Sequence, residues 1–95
     1  MPHRNAKTND LFKAILQLKS VEECQDFFRD LLTLEELEEA TKRWQVAQKL
    51  AEGEPYRAIA DEVGVSTATV TRVAQWLNNG EGGYELILKR LGKMD

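Results

Sequence analysis

Apolar positions recur along this chain at helical spacing, and no stretch alternates as a strand would. Leu11, Phe12, Ile15, Leu16 and Leu18 form a broad stripe that predicts a first helix over 9–18, capped by Thr8 or Asn9. Ser20, followed three residues on by Glu23, is a capping box, and Cys24, Phe27, Phe28, Leu31 and Leu32 continue the stripe. So short a break predicts that these two helices pack as a hairpin or form a bent arm. Thr33 and Glu36 make a second box, opening the longest helix, 33–52, on which Leu34, Leu37, Ala40, Trp44, Ala47, Gln48 and Leu50 mark the less polar side. Gly53 ends that helix and Pro55 suits the first turn of the next. A last short helix over 84–91 carries Tyr84, Leu86, Ile87, Leu88 and Leu91, beyond a break at residues 79–83.

The stretch 55–78 is organised differently from the rest. Ala58, Ile59, Ala60 and Val63 line one short helix, and Gly64 supplies a residue that takes positive φ without a steric cost. Val65 plugs the turn, Ser66 is a good N-cap, and Val70, Val73, Ala74 and Leu77 repeat at helical spacing. Small and β-branched residues fill 67–71, where solubility alone would favour long side chains. This is the pattern of a helix-turn-helix, in which the second helix enters the DNA major groove with its first turns. An αα corner with a glycine in any small helical domain has the same outline.

Charge complicates that reading. The 95 residues hold 16 acidic and 13 basic side chains, a net charge of −3, whereas non-specific DNA affinity is mostly electrostatic. The distribution softens the objection: between Ser66 and Asn79 the single charged residue is Arg72. The acids gather elsewhere, as in Glu35, Glu36, Glu38 and Glu39, at the positive end of a helix dipole; Lys42, Arg43 and Lys49 suit its negative end. The length allows one small domain that buries about two-thirds of its unfolded surface, so some apolar residues, both tryptophans included, are expected in a subunit interface. The expected organisation is a mobile arm over 1–8, one helical domain over 9–92 and a tail over 93–95. One cysteine, Cys24, excludes an intrachain disulfide, and one histidine, His3, has no metal-ligand companions. With no leader or long apolar run, a cytoplasmic protein without membrane association is expected. No catalytic constellation or Gly-rich phosphate loop is present, so neither enzyme activity nor a cofactor is expected.

Two stretches, LLTLEELEEATKRW (31–44) and GVSTATVTRVAQWL (64–77), carry a resemblance to the Trp repressor superfamily, specifically the small TrpR-related YerC/YecD group of Firmicutes. The second resembles the repressor's turn and recognition helix, including its Ala68-Thr69-Val70-Thr71-Arg72 core. The resemblance implies an all-α, six-helix fold, an intertwined homodimer, and a palindromic double-stranded DNA site with half-sites about 34 Å apart. It places DNA reading on Thr67, Ala68, Thr69 and Thr71. Ser66 and Thr71 hydroxyls would donate to phosphates or bases, and Ala68 would meet a thymine methyl. Ser66 also has a use as a cap, and Thr69 as a partner for its own helix. Arg57 is the best nearby phosphate contact, with Arg72 on the recognition helix itself.

The resemblance also implies a corepressor pocket, to which Thr33, Arg43 and Arg72 correspond. Val73 and Trp76 stand where the family has small residues, so the pocket should be narrowed or filled, and L-tryptophan should not act as effector. The expected function is therefore a sequence-specific transcriptional regulator without the tryptophan switch. The alternatives are a helical dimeric interaction protein with weak DNA affinity, and a regulator answering to a different small ligand.

Overall fold

The computed structural model describes residues 4–95. Six helices follow one another: α1 (Ala6–Ile15), α2 (Val21–Leu31), α3 (Leu34–Ala51), α4 (Tyr56–Val63), α5 (Thr67–Asn79) and α6 (Gly83–Arg90). Two compact units divide the chain, Met1–Leu37 and Glu38–Asp95, with α3 contributing its first turn to the one and the rest to the other.

In the first unit, helix ends follow their caps. Asn5, rather than Thr8 or Asn9, caps α1: its side chain accepts from the Thr8 N–H at 2.9 Å, and the Asn5 N–H donates to Thr8 Oγ1 at 3.2 Å. That reciprocal box starts the helix early, so α1 overlaps the arm expected over residues 1–8; His3 lies outside the described residues. The helix also ends early, because the Gln17 and Leu18 N–H groups bond three residues back, to Ala14 and Ile15. Ser20 accepts from the Glu23 N–H at 3.1 Å, but the Glu23 carboxylate reaches the Lys19 N–H at 2.9 Å instead of closing the box on Ser20. The Thr33–Glu36 box closes as expected, with bonds of 2.9 and 3.1 Å.

No residue of α1 or α2 is buried. Phe12, Leu16, Val21 and Leu31 stand between 45% and 80% exposed, although α2 is strongly amphipathic. Among the described residues α1 and α2 do not pack on each other as a hairpin; close helix-on-helix approach is confined to α4 on α5 and α5 on α6.

The second unit holds the core. Val46 and Ala47 of α3, Ile59 and Ala60 of α4, and Val70 and Val73 of α5 form one buried cluster, with Trp44, Leu50, Val63, Val65 and Tyr84 packed around it. Leu88 is the one residue of α6 that is fully buried. Gly64 turns the chain between α4 and α5 at φ 81°, and its N–H and that of Val65 both donate to the Ala60 carbonyl. A residue with a Cβ would be strained there. Gly80 ends α5 for another reason: a Cβ at this position would lie 2.3 Å from the Trp76 carbonyl oxygen.

Candidate nucleic-acid interface

The start of α5 is built from hydroxyls and methyls. Ser66 caps the helix, accepting from the Thr69 N–H at 3.1 Å, and its Oγ also lies 3.1 Å from Thr69 Oγ1. Thr71 Oγ1 donates to the Thr67 carbonyl at 3.0 Å, one turn back. Thr67 and Ala68 are exposed, and the Thr67 side chain has no hydrogen-bond partner among the described residues.

These bonds change what the turn offers a ligand. A hydroxyl has one proton to give, and Thr71 has given it to its own helix. Its oxygen keeps an acceptor lone pair, so Thr71 offers an acceptor and a methyl rather than the donor expected from the sequence. Ser66 and Thr69 share one proton between their oxygens, leaving one donor from the two; Thr67 keeps its own.

No acidic residue lies in the first turn of α4 or α5, whereas α2, α3 and α6 each carry at least one there. Arg57, in the first turn of α4, and Arg72, one turn into α5, are exposed, and neither pairs with a carboxylate among the described residues. Both cations are therefore available to an external anion. The Glu62 carboxylate of α4 is occupied instead by Lys49 of α3 at 2.6 Å, and Lys49 also meets Glu54 at 3.4 Å. An open cleft of about 190 Å³ beside this pair is lined by Gln45, Gln48, Lys49, Glu52, Glu62 and Val63.

The Lys49–Glu62 contact has a titration signature. The hydrogen bond from Lys49 holds the Glu62 carboxyl below its ordinary 4.5, and the same contact lifts Lys49 above its ordinary 10.5. A carboxylate with a depressed pKa stabilises the fold above its unfolded value and loses that contribution as pH falls through its folded value. Glu62→Gln should accordingly lower the urea midpoint near neutral pH and differ less from the parent at about pH 3. An equal deficit at both pH values would show that the pair does not act through its charge.

Of the five residues assigned to a pocket, the structure brings two together. The Arg43 guanidinium lies over the Trp76 ring, 5.6 Å from its centroid, and pairs with Glu39 at 3.4 Å. Trp76 remains 43% exposed. Val73 is fully buried in the core row of α5, and Arg72 is exposed without a carboxylate partner. Thr33 Oγ1 accepts from the Glu36 N–H at 3.1 Å as the cap of α3. Sequence reasoning missed the contact beside this pair: Trp44 stacks on Tyr84 of α6 with centroids 6.3 Å apart and an interplanar angle of 19°. The adjacent Arg43 and Trp44 were its visible half; the pairing itself depends on tertiary structure. Burial raises the Tyr84 phenol pKa, and the Arg43 charge partly opposes the rise.

Among the described residues no group of three or more metal-ligating side chains gathers, and no helix is long and apolar enough to cross a membrane.

The family model described as Trp repressor protein matches residues 6–92. An uncharacterized protein, YerC, of Bacillus subtilis strain 168 is 44% identical over 88 residues, spanning 93% of this chain and 85% of its own. The crystal structure of a TrpR-like protein from Eubacterium eligens superimposes with a TM-score of 0.93 at 39% identity, covering 99% of this chain and 97% of that one. A candidate Trp repressor from Staphylococcus aureus superimposes at 0.89 with 43% identity, covering 94% and 89%.

Proposed function

The chain belongs to the Trp repressor family, and from that premise we propose that it is a sequence-specific transcriptional regulator that binds a palindromic DNA site as an intertwined homodimer. The family is one of DNA-binding regulators rather than enzymes. The observation that carries the reading is the start of α5: exposed Thr67 and Ala68, an acceptor and methyl at Thr71, no acid in the first turn, and Arg72 unpaired behind it. In this reading α4 positions α5 and the residues 66–72 meet the major groove, while Arg57 and Arg72 hold phosphates.

Dimer formation is supported by the apolar side chains that the single chain leaves uncovered. Phe12, Leu16, Val21, Leu31 and Leu34 lie in the first unit, and Leu86, Ile87 and Leu91 lie on or beside α6. Two copies bring two reading helices to successive grooves, which is why the site is palindromic.

Selection of bound duplexes from a random pool, followed by a salt series, tests the function. With Arg57 and Arg72 from each of two copies on phosphates, log affinity against log salt should fall with a slope of roughly −4. Absence of binding even at low salt would favour the interaction protein that the net charge of −3 leaves as the second reading. Free L-tryptophan should give no specific heat on calorimetric titration, because Arg43 already carries an indole of the same chain. One binding event per subunit would overturn this and restore a ligand-controlled regulator.

A further inference from the structure

We propose that Arg43 and Trp76 form a built-in clamp that sets the rotation of α5 about its own axis, and so decides how residues 66–72 face outward. The proposal rests on the DNA-binding reading and assigns both side chains a positioning role within it.

The buried row of α5, Val70, Val73, Ala74 and Leu77, holds the helix to the core. That row decides which face of α5 turns inward, but it includes no contact on the flanks of the helix, where the remaining freedom of roll would be taken up. Trp76 sits about 100° around the helix from that row, on the flank that it shares with Arg72 one turn earlier. Trp76, 43% exposed on this flank, belongs neither to the buried cluster nor to the side chains packed on it. What it does meet is directional. The Arg43 guanidinium lies over its ring and also donates to the Glu39 carboxylate, 3.4 Å away on the preceding turn of α3. The next residue of α3, Trp44, stacks on Tyr84 of α6. Two successive residues of α3 thus hold α5 and α6. One turn beyond Trp76, α5 stops at Gly80, where the chain passes too close to the Trp76 carbonyl for any side chain.

A positioning contact raises affinity only by the population it shifts toward the binding-competent orientation. An exposed cation–π pair shifts such an equilibrium about two- to fivefold for each reading head.

The test uses the full chain and the duplex selected by the parent protein. Arg43→Gln, a surface change that leaves the core intact, should lose about two- to fivefold affinity per reading head with an unchanged salt slope, because no phosphate contact is removed, and Arg43→Lys, which keeps a cation beside the ring, should lose less. Trp76→Ala should lose at least as much as Arg43→Gln, and millimolar indole should restore part of it by refilling the space beside the guanidinium. Unchanged affinity in Arg43→Gln overturns the clamp. So does a salt slope shallower by about 0.9 per arginine removed, which would make Arg43 a phosphate contact. If the parent protein selects no duplex, the DNA-binding reading fails by itself. The clamp is then decided by amide exchange along α5: faster exchange in Arg43→Gln sustains it, and unchanged exchange overturns it.

Discussion

Ala68→Asp is expected to abolish DNA binding while making the isolated protein slightly more stable. Ala68 is exposed in the first turn of α5, which holds no acid. A carboxylate there faces the positive end of the helix dipole, a gain of about 0.3–1 kcal/mol. The same charge, pressed against a phosphate-lined groove, faces like-charge repulsion of several kcal/mol, so affinity for the selected duplex should fall by at least about a hundredfold. Thermal unfolding and a binding titration on one preparation check both signs. A substitution that damaged binding by damaging the fold would move both measurements the same way. Retained binding in Ala68→Asp would show that this turn is not the reading surface. Thr71→Val, which keeps a methyl but removes the acceptor, is the milder companion.

Ile59→Ala should have the largest effect on stability. The Ile59 side chain is fully buried, within a cluster drawn from α3, α4 and α5. Removing it leaves a cavity that these helices cannot fully close, at about 2–5 kcal/mol. Small domains hold only about 5–15 kcal/mol in total, so the loss should appear as a large fall in the urea midpoint. Leu16→Ala supplies the contrast. Leu16 is 80% exposed in the single chain, and a change there costs within about 0.5 kcal/mol unless a second copy covers it. A measured cost well above that would place Leu16 in the proposed interface.

Most of the fold was legible in the sequence because its signals are local. The 3.6-residue rows, the Thr33–Glu36 box, the Ser66 cap and Gly64 each fix a helix or its end from within a few residues. The limits of α1 were harder to read. Asn5, Thr8 and Asn9 are all competent caps, and only the reciprocal bonds between Asn5 and Thr8 choose among them. The apolar stripe of α1 was visible too, but periodicity marks a face without saying whether the same chain covers it, and here no residue of α1 is buried.

The site was legible by composition and less so by chemistry. Residues 66–72 could be singled out, yet the direction of the Thr71 hydroxyl depends on its rotamer, which the sequence does not specify. Val73 illustrates a different limit. It was read both as a member of the core row and as an obstruction in a pocket, and the structure places it in the core at zero exposure. Trp76 is where position mattered most: its spacing puts it off the core row, but only the fold puts Arg43 above it.

The unburied α1 and α2 have a consequence for abundance. If a second copy covers them as proposed, the first third of the chain gains its interior only on association, and its stability follows mass action. At low copy number these helices would open readily to proteases, while accumulating copies would protect one another. The level of folded regulator would then rise more steeply than its rate of synthesis, a threshold set by the chain before any gene is bound.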